Sequence, residues 1–65
     1  MKFTTKVGIS IKEKRIELGL TQLQLAKQAT IQVGTLSKIE NGKLNPSIGQ
    51  IEKLSLILNL NITLS

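Results

Sequence analysis

The fold is decided by the stretch LTQLQLAKQATIQVGTLSKIENGK, which spans residues 20–43. Thr21 stands in the position of a helix N-cap, and apolar residues follow it at helical spacing. The pattern breaks at residues 30–32, resumes, and stops at Asn41-Gly42, because glycine accepts the left-handed conformation of a helix C-cap. Two short helices joined by a tight turn are therefore predicted, with an inner face formed by Leu25, Ala26, Ala29, Leu36 and Ile39.

The flanking segments add two more predicted helices. A short polar arm at residues 1–5 precedes a helix that ends at Gly19 and carries Val7, Ile11 and Leu18 at helical spacing. Pro46 suits entry into a fourth helix at about residues 47–58, with Ser47 as its cap. The tail at residues 59–65 alternates apolar and polar residues strictly, which is typical of a strand. The fourth helix has as its core stripe Ile51, Leu54, Ile57 and Leu58.

Composition narrows the classes of function. The 65 residues make one small domain, residues 1–65, without cysteine or histidine. The commonest metal ligands and the commonest general acid/base are missing, so we expect no enzyme, no metal site and no cofactor. Phe3 is the only aromatic residue, which disfavours the base stacking used in single-strand and RNA recognition. The net charge of +5 suits a polyanionic partner, although simple solubility also explains it.

The sequence also predicts a cytoplasmic protein. No apolar run approaches the roughly 20 residues that span a bilayer. Residues 1–6 lack the apolar stretch of a secretion signal.

An ordered set of short motifs points to a family. The motifs are KRIELGLTQ at residues 14–22, Leu25-Ala26, LSKIENGK at residues 36–43 and NPS at residues 45–47. Together they resemble the Cro/repressor-type (XRE-like) helix-turn-helix DNA-binding family of lambdoid phage repressors. The resemblance implies an all-α, compact four- to five-helix lambda-repressor-like domain, to which the tail adds a short C-terminal β-strand.

Three residues depart from the pattern of that family. The family usually has glycine in the turn where this chain has Thr30, and Ser or Thr at the cap where it has Gln32. Gly34 is a poor helix former inside the predicted third helix, at a cost of about 1 kcal/mol relative to alanine. We therefore expect a turn of slightly different shape.

The resemblance makes the third helix the one that lies in the major groove. Lys38 then suits guanine O6/N7, and Gln32 suits adenine N6/N7. Val33 and the Thr35 methyl group suit a thymine methyl, and Gly34 would let the backbone come close. The predicted base contacts are therefore Gln32, Val33, Gly34, Thr35 and Lys38.

Phosphate contacts fix the register on DNA without reading sequence. Gln22 at the N-terminus of the second helix is the first candidate, against the alternative of an ordinary polar surface residue. Asn41 is in any case a C-cap, and Lys43 is equally explained as a solvated charge. The resemblance also pairs Arg15 with Glu40. The full set of predicted phosphate contacts is Arg15, Gln22, Ser37, Asn41 and Lys43.

The tail is a candidate dimerisation strand at residues 60–65. Two copies would pair antiparallel about a two-fold axis and bury Leu60, Ile62 and Leu64, whereas the alternative is that the tail packs on its own fourth helix. Proteins of this type read half-sites about 34 Å apart as dimers.

We interpret the chain as a sequence-specific repressor that binds a palindromic double-stranded DNA operator as a homodimer. Its size and leucine-rich tail resemble HipB-type antitoxins, which bind their own operator and a kinase-like toxin of the HipA type. The alternatives are a controller of a restriction-modification system and a protein-interaction module with the same fold.

Overall fold

Four helices follow one another in residues 3–60, the part of the chain that the computed structural model describes. They are α1 (Phe3–Glu17), α2 (Gln22–Ala29), α3 (Val33–Glu40) and α4 (Ile48–Leu58). The predicted all-α helix-turn-helix domain is confirmed, and no strand occurs within these residues.

Two helices begin at a reciprocal cap. The Gln24 N–H donates to Oγ1 of Thr21 at 3.0 Å, and the Thr21 N–H donates to Oε1 of Gln24 at 2.8 Å. Ser47 and Gln50 repeat this arrangement at the start of α4, at 3.1 and 3.0 Å. Each cap satisfies two backbone N–H groups that a helix start would otherwise leave unpaired, so the predicted positions of both caps are confirmed.

The core lies where α1 and α2 each pack against both α3 and α4. Every residue predicted for the inner faces of α2 and α3 is buried, and Ile57 of α4 is partly buried. Among residues 5–60, for which burial is described, aliphatic side chains supply the whole buried apolar core: Val7, Ile11, Leu25, Ala26, Ala29, Leu36, Ile39, Ile51, Leu54 and Leu58.

The prediction for the first segment is wrong at both of its ends. Residues 3–5 belong to α1 and not to a polar arm, because the start of this helix packs on the turn after α3: a Cβ added to Gly42 would lie 3.3 Å from Thr5 Cα. Leu18, predicted to lie within the first helix, follows α1 and is 48% exposed. The chain reverses at Gly19, and Leu20 packs against the core in place of Leu18.

The two described residues that follow α4 do not form a strand. Asn59 adopts a left-handed conformation (φ 54°), and the Leu60 N–H donates to the Ser55 carbonyl oxygen at 2.9 Å. Leu60 is partly buried against the core of its own chain. The predicted strand therefore does not include these two residues, and its remaining residues, 61–65, lie outside the described part of the chain.

Candidate nucleic-acid interface

The turn between α2 and α3 fixes the direction in which α3 leaves. The Ile31 N–H donates to the Ala26 carbonyl oxygen at 3.0 Å, a six-to-one bond typical of the Schellman motif, and Ile31 packs against the core. This motif requires a left-handed residue, and Thr30 supplies it with φ 58° and ψ 43°. This is the conformation that glycine would adopt, so the expected change in the shape of the turn is wrong at Thr30. A β-branched residue is strained in this region, and the turn therefore has an energetic cost.

The N-terminal half of α3 is its exposed half. Val33 is 42% exposed. Thr35 is half-buried. The remaining predicted base contacts, Gln32, Gly34 and Lys38, are exposed. The structure thus brings all five predicted residues to one short helix and its cap.

The start of α3 has a different cap from those of α2 and α4. Gln32 takes the N-cap position with φ −72° and ψ 143°, but its side chain makes no capping hydrogen bond. Thr21 and Ser47, by contrast, use their hydroxyl groups to cap their own helices. The Gln32 amide is therefore not engaged by the backbone of α3.

The C-terminal end of α3 is held by a buried charge network. Arg15 donates from Nε to Oε2 of Glu40 at 2.8 Å and from NH2 to Oε1 at 3.1 Å, so the pairing implied by the resemblance is present. Its NH1 donates to the Leu20 carbonyl oxygen at 2.8 Å, and Nε2 of Gln22 donates to Oε1 of Glu40 at 3.0 Å. The Arg15 and Glu40 side chains are only 11% and 1% exposed. This network ties α1, the start of α2 and the end of α3 together.

The sequence analysis missed Gly8, which sets how closely α1 approaches α3. A Cβ on Gly8 would collide with the carbonyl oxygen of Ile39 and lie 3.0 Å from that of Glu40. Since both atoms are backbone atoms, neither moves without shifting the helix. A glycine in a helix that otherwise follows the apolar pattern was the available signal for such a contact.

The predicted phosphate contacts fall into two groups. Arg15 and Gln22 are engaged with Glu40, in the network described above. Asn41 and Lys43 are exposed where α3 ends, and Ser37 is half-buried. The Gln22 amide carries two hydrogens, so the bond to Glu40 orients the group and leaves a second donor.

Charge is distributed unevenly over the surface. Between residues 18 and 51 the only carboxylate is Glu40, which is buried and paired with Arg15. The three lysines of this segment, Lys27, Lys38 and Lys43, are all exposed. The other carboxylates, Glu13, Glu17 and Glu52, lie exposed on α1 and α4. The helix-turn-helix segment therefore presents positive charge and no exposed carboxylate.

Helix α3 has an exposed N-terminal half, follows the capped helix α2 and is accompanied by exposed lysines. This arrangement is that of a helix-turn-helix DNA-binding domain. Residues 11–64 match the family described as Helix-turn-helix, and the chain belongs to this family. The family is one of non-enzymatic DNA-binding transcription regulators, in agreement with the sequence analysis.

Relatives of the chain carry regulatory names. It is 37% identical over 57 residues to the ImmF control region 10 kDa protein of Bacillus phage phi105, covering 88% of this chain and 63% of that protein. The Immunity repressor protein of the same phage is 37% identical over 57 residues, covering 88% of this chain and 40% of the repressor. The chain therefore spans less than two thirds of the length of these two relatives.

A third relative comes from an archaeon. An uncharacterized HTH-type transcriptional regulator of Archaeoglobus fulgidus is 36% identical over 52 residues, covering 80% of this chain and 74% of that protein. No solved structure matches the chain. Within residues 3–60, none of the helices has the length and apolar character needed to cross a bilayer.

Proposed function

We propose that this chain binds double-stranded DNA in a sequence-specific manner and represses transcription from a palindromic operator. The observation that carries the proposal is the uneven charge: the only carboxylate of residues 18–51 is buried and neutralised, while Lys27, Lys38 and Lys43 are exposed. Such a surface attracts a polyanion without opposing charges in the contact area. The name of one phage relative, the Immunity repressor protein, supports repression as the outcome of binding.

In the proposed complex, α3 lies in the major groove and α2 crosses the backbone. Gln32, Val33, Thr35 and Lys38 then face base edges from α3 and its N-cap residue. Ser37, Asn41, Lys43 and the second amide hydrogen of Gln22 bind phosphates. Because Arg15 gives three of its five N–H groups to Glu40 and Leu20 and its side chain is only 11% exposed, we assign Arg15 to positioning Gln22 and the end of α3.

Three lysine variants test how the chain reads DNA. The probe is a duplex selected by the wild-type protein from a random-sequence library, compared with a shuffled duplex of the same composition. Lys38→Ala removes a base contact, so we expect its preference for the selected duplex to fall by about tenfold or more. Lys43→Ala removes a phosphate contact, so it weakens binding to both duplexes and reduces the slope of log affinity against log salt by about 0.9. Fluorescence anisotropy at several salt concentrations measures both quantities.

Lys53→Ala is the matched control, since Lys53 is an exposed lysine on α4 outside the proposed interface. It leaves the preference for the selected duplex unchanged. If the wild-type protein binds the selected and shuffled duplexes equally, the proposal of sequence-specific binding is wrong.

We propose a homodimer in which the tails of two copies pair. This proposal rests on the alternation of apolar and polar residues at positions 61–65. In a paired strand, residues of this spacing place Ile62 and Leu64 on one side and Thr63 on the other. Ile62→Lys places a charge on the apolar side and is expected to shift the mass measured by light scattering from dimer to monomer. Thr63→Lys introduces the same charge on the polar side and leaves the dimer intact. A dimer that survives Ile62→Lys contradicts this assignment.

The kinase-like toxin partner and the restriction-modification role stay predictions from the sequence. None of the relatives named above carries a toxin-antitoxin name. The reading frame next to this gene tests both predictions, since a kinase-like or a methyltransferase neighbour selects one of them.

A further inference from the structure

Neither the backbone conformation nor the packing of the folded chain requires glycine at position 34. It is the second residue of α3 and is exposed between Val33 and Thr35. Its φ is not positive, since the glycines with positive φ in residues 3–60 are Gly19 and Gly42. Packing does not require it either, because an added Cβ would meet no atom within 4 Å apart from its chain neighbours and the backbone of its own helix. Glycine lowers helix stability relative to alanine, so the free protein would be more stable without it.

We propose that Gly34 determines DNA specificity by its lack of a side chain, which lets the backbone of α3 contact the edge of a base pair in the major groove. Glycine is the residue that proteins use where a ligand approaches the backbone closely. The space that a Cβ would fill is open in the free protein. A bare Cα there allows Val33 and Thr35, on either side, to reach thymine methyl groups that a Cβ would hold away. This inference rests on the function proposed above.

A second explanation gives the opposite expectation. If Gly34 only softens α3, so that the helix becomes ordered on DNA, then alanine would preorganise the helix and raise affinity for every duplex. If Gly34 provides close approach, alanine stabilises the protein but weakens binding to the preferred sequence. The sign of the change in affinity therefore separates the two.

The experiment compares Gly34→Ala with Gly49→Ala. Gly49 is also the second residue of its helix and exposed, and an added Cβ there would meet only Oγ of Ser47 at 4.0 Å. Both variants are expected to raise the melting temperature by about 4 °C. Gly34→Ala lowers affinity for the selected duplex by about tenfold or more and leaves affinity for the shuffled duplex unchanged. Gly49→Ala leaves the ratio of the two affinities unchanged.

Each other result counts against a defined statement. If the wild-type protein prefers the selected duplex and Gly34→Ala keeps or increases that preference, the close approach at Gly34 is overturned while the proposed function stands. If Gly34→Ala weakens binding to both duplexes equally, Gly34 lies near the phosphates and does not determine specificity, which also overturns the inference. If the wild-type protein shows no preference, the proposed function fails and the inference fails with it.

Discussion

The two ends of α3 differ in their contacts with the rest of the protein. The C-terminal end is fixed by the buried contact of Glu40 with Arg15 and Gln22, and by the close approach of Gly8. The N-terminal end begins at Gln32 without a side-chain cap and continues into exposed residues. One short helix thus has a fixed end and an exposed end.

The difference shows how such a small domain can leave one end of a helix exposed to a partner and still remain folded. A side chain that packs in the core or caps a helix is not available to a partner. Few side chains at the exposed end of α3 have either of these roles. The helix start lacks a side-chain cap, whereas at the other end a charged network joins three segments of the chain. Changes at the fixed end are therefore expected to act on stability, and changes at the exposed end on binding.

The largest effect is expected from Arg15→Met, which breaks the fixed end. It leaves the Glu40 carboxylate buried with Gln22 as its remaining side-chain partner, at a cost of about 3–5 kcal/mol in the free energy of unfolding. A chain of this length has about 3–10 kcal/mol in total, so the variant is at or near unfolding. Urea denaturation followed by circular dichroism measures the loss.

Two further variants show that the loss comes from the unpaired charge. Arg15→Met combined with Glu40→Leu removes both charges and is expected to recover most of the stability. Lys14→Met breaks an exposed ion pair with Glu17 (3.2 Å) on the same helix and is expected to cost less than about 1 kcal/mol. Equal losses from Lys14→Met and Arg15→Met would show that the network does not hold α3.

Gly8→Ala tests the second contact of the fixed end. The added methyl group collides with the carbonyl oxygen of Ile39, and α1 must move away from α3, at a cost of about 3 kcal/mol. Ser10→Ala, at an exposed position of the same helix, is the control and changes stability little. Thermal unfolding of the two variants measures the difference. If Gly8→Ala stabilises the protein, as alanine does at an open helix position, the two helices do not approach so closely.

The contrast between the two ends of α3 also explains which features of the fold could be predicted from the sequence. Apolar spacing and the caps at Thr21 and Ser47 are local signals, so the limits of α2, α3 and α4 follow from short stretches of residues. The exposed positions of α3 follow from the same spacing. The start of α1 does not, because it depends on packing against the turn at Gly42, which lies far along the chain.

Contacts at the fixed end are less visible in the sequence. The Arg15–Glu40 pair follows from the family resemblance, since nothing in the spacing of two residues so far apart indicates a contact. That Gln22 completes this network, and that Gly8 lies against Ile39, depend on how helices cross. These are tertiary contacts without a local signature, so the sequence shows the residue types but not their partners.

Thr30→Gly gives the smallest expected effect and tests whether the turn before the exposed end is strained. Thr30 is exposed with φ 58°, a conformation that costs a side-chain-bearing residue about 1–2 kcal/mol and glycine almost nothing. Glycine also gains freedom in the unfolded state, which takes back about 0.4–1 kcal/mol. The net gain is therefore about 1 kcal/mol, seen as a rise of about 4–8 °C in the melting temperature.

Asn59→Gly supplies the matched comparison, because Asn59 is also left-handed (φ 54°) and follows a helix. Asparagine tolerates this conformation far better than a β-branched residue, so the same replacement there brings little or no gain. A rise at residue 30 without one at residue 59 assigns the strain to threonine itself, and not to left-handed helix ends in general. Equal rises at both sites would instead assign the strain to left-handed helix ends in general, and no rise at residue 30 would mean that threonine in this turn has no energetic cost.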